Sequence, residues 1–244
     1  MTLITKLITW WTIIYISLLA IYFSTCLVIS WLNNSALGRT KRVREKIQAP
    51  QQPIKKQIQA AVISLAGISF LLATGVVMNL AGFAVFPDLE LTWFTGTITF
   101  LLSMILYDTS FYWIHRLLHQ PALFRKIHYF HHRVSAPVPW TTNSELLIDG
   151  MLINIYWLLA PILLPIPIYI LLIHRAFDMV MGVLGHSGHE YGGYFILPPS
   201  PLVSVTHHDQ HHQYFYYNYA VHFTFWDRLM KTLHPSHDTT LLNR

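Results

Sequence analysis

The chain has 244 residues, 53% of them hydrophobic and only 11% charged, with a formal net charge of +5. A soluble domain carries about 25% charged residues, so this composition excludes a disordered chain, a secreted disulfide scaffold and an ordinary cytosolic enzyme. A single cysteine, Cys26, rules out an intrachain disulfide and a cysteine metal cage, whereas 15 histidines nearly match the 16 Lys and Arg residues.

The first apolar run, Ile8 to Leu32, carries Trp10 and Trp11 near one end and Trp31 at the other. About 20 apolar residues span a bilayer, and Trp favours its interfaces. The run is too long for a signal-peptide core, and only Lys6 precedes it, so a retained membrane helix is expected. Residues 33–59 then hold Arg39, Lys41, Arg42, Arg44, Lys46, Lys55 and Lys56 against one acid, Glu45. The positive-inside rule places this loop in the cytoplasm. Because the positive charge gathers there, nucleic acid is not expected as a partner. A second span covers about Ala60 to Phe86 and a third about Leu91 to Tyr107. Their link has Asp88 and Glu90 but no Lys or Arg, which fits the outer face. The third span thus returns to the cytoplasm just before Asp108. The apolar stretch from Leu146 to Leu172 is interrupted by Pro161, Pro165 and Pro167. Proline breaks a helix interior, so a membrane hairpin of about 143–184 is expected, with helices at about 143–160 and 166–184. The polar residues Glu145, Asp149, Arg175 and Asp178 sit at its distal ends.

The expected fold is an all-α integral membrane protein. Four or five membrane helices would support a cytoplasmic helical cap that carries a histidine-rich dimetal site. Residues 1–107 would form the N-terminal membrane part and residues 108–244 the catalytic region.

The histidines fall into spaced groups. His115 and His119 form an HxxxH, and residues at i and i+4 share a helix face. His128, His131 and His132 form an HxxHH; His208, His211 and His212 form another, preceded by His207. In an HxxHH the histidines can serve two adjacent metals. His186 and His189 flank a Ser-Gly pair. Imidazole suits iron, zinc, copper and nickel, and one structural zinc needs only four ligands. So many histidines at one membrane face fit two ions with open positions.

These stretches carry a resemblance. Asp108 through His119, the HxxHH at 128–132, and the tail from His207 through Asn218-Tyr219 to Trp226-Asp227-Arg228 resemble the fatty acid hydroxylase/sterol desaturase superfamily of membrane diiron oxygenases. The motifs look most like the sterol C5-desaturase branch, although Ala220 stands where that branch has Gly. The resemblance implies metal ligation by His115, His119, His128, His131, His132, His186, His189, His208, His211 and His212. Asp108, His207, Asp209, Asn218 and Asp227 are candidates for partners of the other ring nitrogens. His174, His222, His234 and His237 lack ligand spacing.

The implied activity uses O2, two iron ions and external electrons to desaturate or hydroxylate a bilayer lipid, sterol-like in the leading reading. Zinc could replace iron in purified protein. The chain has no GxGxxG signature, so a cytochrome b5-like or ferredoxin-like donor would supply electrons. A hydroxylase of a fatty-acyl, sphingoid or alkylglycerol lipid is the alternative within the superfamily. A membrane metal transporter or sensor is the alternative outside it, although the first three spans contain no histidine. The endoplasmic reticulum or a bacterial inner membrane would house the enzyme. A mainly apolar cavity is expected between the third span and the hairpin, passing Ile105 and Met151. It would end at the histidines beside Trp140, Tyr112 or Tyr214.

Overall fold

The computed structural model describes residues 2–44, 53–87 and 89–243. Glu45 and Lys46 of the basic loop, and Asp88 of the acidic link, lie outside the described residues. The described residues are helical, with two isolated β-bridges and no strand. Four helices are long and apolar enough to cross a membrane: α1 (Leu3–Asn34), α2 (Ile54–Met78, continued by a π-turn to Phe83), α3 (Trp93–Leu118) and α6 (Ile168–Gly185). The shorter α4 (Leu147–Ile153) and α5 (Tyr156–Leu163) precede α6.

Local chemistry sets these boundaries. Thr2 caps α1 by accepting from the Thr5 N–H. Thr92 and Thr95 cap each other's backbone at the start of α3, which satisfies donors that a helix start leaves orphaned. Within α1, Ile14, Leu18, Tyr22 and Cys26 recur every four residues and make the buried stripe. Ile4, Ile8, Ile16 and Leu27 remain exposed, as a lipid-facing surface requires. At the start of α3, Trp93 is 95% exposed, which fits an aromatic at a bilayer interface.

Packing centres on α2. Its small residues let backbones approach, a common device between membrane helices: a Cβ on Gly75 would lie 2.6 Å from the Leu158 carbonyl oxygen of α5. Trp11 of α1 donates from Nε1 to the Ala66 carbonyl at 2.9 Å, and Tyr15 donates to that of Val62 at 3.1 Å. Leu65, Ile68, Leu72, Val76, Tyr107, Trp157 and Leu171 fill the core between helices.

Helix α3 runs on past Tyr107 to Leu118, because nothing from Asp108 to His115 breaks a helix and Asp108 finds backbone donors beside it. One boundary differs from the sequence expectation. The first arm of the hairpin is not one helix. It breaks after Ile153, where Asn154 caps α4 and its Nδ2 donates to the Gly150 carbonyl. The second arm starts after Pro167, in agreement with the proline reading. Helix α7 (Val205–Tyr214) and two short helices, Phe225–Leu229 and His237–Leu242, cover the end where α3 and α6 finish.

Candidate metal centre

Nine histidines converge at that end, in two groups. His115, His119, His128, His132 and His211 form the first; His131, His186, His208 and His212 form the second. Within each group the potential ligand atoms all lie within 4.8 Å of one another. His115 lies in the last turn of α3, and His119 is its C-cap. A π-turn over Phe124–His128 followed by a short helix Tyr129–His132 delivers the next three; such turns often mark functional sites. His186 caps α6, and the remaining three lie on α7.

Each HxxHH motif is divided between the groups. His128 and His132, four residues apart, enter the first group while His131 enters the second. In α7 the roles reverse: His208 and His212 enter the second group and His211 the first. The i, i+4 pair shares one face of a helix, and the intervening residue points to its neighbour.

Hydrogen bonds fix the ring orientation. The Nδ1 of His115 lies 2.8 Å from the Tyr219 carbonyl oxygen, that of His186 2.8 Å from Gly182, that of His211 2.7 Å from Tyr217 and that of His212 2.9 Å from Val134. His131 pairs with the Ser144 carbonyl at 3.3 Å, and His128 with the Asp149 carboxylate at 2.9 Å. A carbonyl oxygen only accepts, as does the Asp149 carboxyl when ionised, so each of these Nδ1 atoms then carries the proton and each Nε2 presents a lone pair. Nε2 of His208 is 3.1 Å from those of His186 and His212, and the lone pairs of His115 and His128 face each other with their Nε2 atoms 3.1 Å apart. Two acceptors at this distance repel unless a cation lies between them. Protons are poor candidates for that cation. Burial pushes the His128 imidazole down to about 3, and burial together with neighbouring His128 brings His131 to about 3. Burial also holds His132, His208, His211 and His212 well below the usual histidine range. The donor set, neutral imidazoles of which six (His115, His128, His131, His186, His211 and His212) have the far nitrogen tied down, therefore fits metal ions.

The other candidates lie apart from the ring nitrogens that converge. His189 belongs to neither group; its Nδ1 bonds the Ser187 carbonyl at 2.9 Å and its backbone bridges to Arg42. A tight turn at Gly188, with φ of +67°, carries the chain away after His186. Asp108 accepts from the backbone N–H groups of Val221, His222 and Phe223 rather than from His115. Asp227 meets His207 Nε2 at 3.0 Å and accepts from the N–H groups of Tyr219 and Ala220. It thereby positions the Tyr219 carbonyl that holds His115. Asn218 donates to the His207 carbonyl and accepts from the His234 N–H. Asp209 pairs with Arg44 at 2.7 Å and ties α7 to the segment before residue 45. His174, His222, His234 and His237 stay outside both groups.

Asp149 is the residue that spacing alone missed. It is fully buried and its carboxyl group is in direct contact with a cluster imidazole, that of His128. Its one sequence signal was a carboxylate inside an apolar stretch, which membrane energetics makes costly without a role. The carbonyl partners carry no signal in side-chain sequence.

A cavity of about 370 Å³ reaches His115, His128, His131, His186 and His208. Met104, Tyr107 and Phe111 of α3 and Phe177 and Met181 of α6 wall it, so it does lie between the third span and the hairpin. The residues expected along the route and at the inner end are elsewhere. Ile105 is exposed, and Met151 packs where a Gly67 Cβ would sit. Trp140 packs edge-on against Tyr22, Tyr112 stacks on Trp226, and Tyr214 stacks on His234.

Residues 100–232 match the fatty acid hydroxylase family, more than half of the chain, and the chain belongs to that family. Among curated relatives it is similar to the human lathosterol oxidase, 28% identical over 72% of this chain and 60% of the relative. It is similar also to a Delta(7)-sterol 5(6)-desaturase of Gibberella zeae, 26% identical over 76% of this chain and 59% of the relative. A methylsterol monooxygenase of Aspergillus fumigatus is 29% identical over 87% of this chain and 73% of the relative. The chain thus spans about three-fifths of the first two relatives' length. No solved structure matches.

Proposed function

We propose that this chain is a membrane-bound non-haem diiron oxygenase that desaturates or hydroxylates a sterol-like lipid drawn from the bilayer. The observation that carries the reading is the two groups of buried histidines, six of them with the far ring nitrogen hydrogen-bonded, at the inner end of a largely apolar cavity. The relatives named for sterol oxidation support the substrate class.

The first group would hold one ion and the second another, with Asp149, Tyr219, Tyr217, Val134, Ser144 and Gly182 fixing the rings. Bound iron would supply the O2 chemistry needed to remove hydrogen from an unactivated carbon, a task beyond any side chain here. The protein's own residues do the rest. The α3 and α6 walls orient the lipid and exclude water, and the buried imidazoles stay neutral so that their lone pairs remain available. Electrons would come from a cytochrome b5-like or ferredoxin-like protein.

The histidine end would face the cytoplasm. Arg42 bridges to His189 and Arg44 pairs with Asp209, so the basic segment before residue 45 is packed on that end. The positive-inside rule then supports this orientation.

The test is lipid profiling by mass spectrometry in cells expressing the wild type or the His128→Ala variant. A lipid product gaining an alkene or a hydroxyl in wild-type cells alone is expected. Identical profiles in a sterol-supplied host with a donor present would refute the proposal.

A further inference from the structure

The cavity has a second polar end that the histidines do not account for. Arg175, 2% exposed, borders it from within the membrane helix α6. Its Nη1 donates to Asp178 Oδ2 at 2.8 Å and its guanidinium lies 5.8 Å from the Trp157 ring centroid. Its Nε and Nη2 have no hydrogen-bond partner among the described residues. Buried polar groups are normally satisfied, and an ionisable side chain inside a membrane span is costly without a use. Around it, Tyr107 donates to Asp178 Oδ2 at 3.3 Å and to Asn154 Oδ1 at 3.1 Å, while His222 Nε2 sits 3.5 Å from Asp178 Oδ1. Tyr107, Asn154, Asp178 and His222 all line the same cavity.

We propose that Arg175, Asp178 and His222 bind an oxygen function of the lipid substrate, a hydroxyl or a carbonyl, and so fix which carbon reaches the histidines. The proposal rests on the lipid-oxygenase reading for the identity of that molecule as substrate, although binding itself does not. Arg175 offers two donor nitrogens without a partner among the described residues, and Asp178 neutralises its charge. The site therefore suits a neutral oxygen better than a carboxylate or phosphate, for which a net positive site would be needed. A hydroxyl can also donate to Asp178 Oδ1, whose nearest partner is at the limit of hydrogen bonding.

The two helices set the spacing. Tyr107 precedes His115 on α3, and Asp178 precedes His186 at the end of α6, each by eight positions. At 1.5 Å per residue both separations are about 12 Å. The bound oxygen and the carbon that reacts are then held apart along the same two helices.

The test uses metal-loaded protein in detergent and two probes, 1-hexadecanol and n-hexadecane, with retention measured by native mass spectrometry. The wild type should retain the alcohol at least tenfold better than the alkane. Arg175→Met, which keeps the packing on Trp157, should abolish the preference without changing metal content. Equal retention by the wild type, or a preference that survives in the variant, would overturn the proposal. A hexadecanol bearing a diazirine beside its hydroxyl gives a measurement that needs no variant. Crosslinks to Tyr107 or to residues 175–178 are expected, and crosslinks confined to residues 128–132 would overturn the assignment. Absence of lipid oxidation by the wild type with these binding results intact would defeat the oxygenase reading and leave the subsite standing.

Discussion

Asp149→Asn isolates the one carboxyl group that touches a cluster histidine among the described residues. The carboxylate lies 2.9 and 3.0 Å from His128 Nδ1 through its two oxygens and is fully buried. Asparagine keeps the shape and one acceptor oxygen but cannot ionise. A ligand imidazole is more basic when its far N–H meets a carboxylate, and losing such a partner costs about 10–100-fold in metal affinity, or ~1.4–2.7 kcal/mol. His128 belongs to the first group alone, so the loss should be confined to one of two ions. Competition between the protein and a chelator, with metal counted at each step, should resolve this. The wild type should release both ions over a similar range, whereas the variant should release one at chelator concentrations about 10–100-fold lower. Equal weakening of both ions, or no change in either, would refute the assignment of Asp149 to one site.

Three further outcomes are expected. Metal-free protein should lose stability on acidification: His128 and His131 are held near 3 when folded and return toward 6.5 when unfolded, so unfolding takes up protons below pH 6.5. Each such histidine removes about 1.4 kcal/mol per pH unit below that point. His132, His208, His211 and His212 act in the same direction and outweigh Glu145 and Asp149, which burial pushes up to about 8 and which act oppositely. A thermal midpoint in detergent that stays flat or rises from pH 7 to pH 5 would therefore contradict the burial. Met181→Trp should fill the cavity wall and lower lipid turnover by about tenfold or more with metal content intact, whereas Met151→Trp should not block it by occupancy; equal turnover in wild type and Met181→Trp would place the route elsewhere. Gly75→Ala brings a Cβ to 2.6 Å from the Leu158 carbonyl oxygen and should cost about 1–3 kcal/mol through overpacking, read as a lowered thermal midpoint; no change would deny the close approach of α2 and α5.

Much of this architecture is legible in residue order because local spacing determines it. The i, i+4 relation of His128 to His132 and of His208 to His212 is a property of one helix, and so is the placing of His131 and His211 on a different face. Apolar run length predicts α1, α2 and α6, and the prolines mark the turn before Ile168. What depends on one segment meeting another is less legible. Asp149 reaches His128 only because α4 folds back beneath the cluster, and no periodicity encodes that meeting. His189 has the same apparent spacing as a ligand pair, yet the turn at Gly188 takes it away. Tyr112 and Trp140 are aromatic residues near the histidines in sequence, but helix rotation turns them into other contacts. Asp108 lies on the His115 face, as its seven-residue spacing suggests, and then spends its oxygens on three backbone donors instead.

The central claim is a pair of metal sites, and metal stoichiometry tests it most directly. Protein from iron-supplied cells should be quantified as wild type, as His132→Ala, which removes a first-group nitrogen, and as His208→Ala, which removes a second-group nitrogen. Two ions per chain are expected in the wild type and about one in each variant, with zinc occupying the same places where iron is scarce. One ion per chain in all three proteins would contradict it.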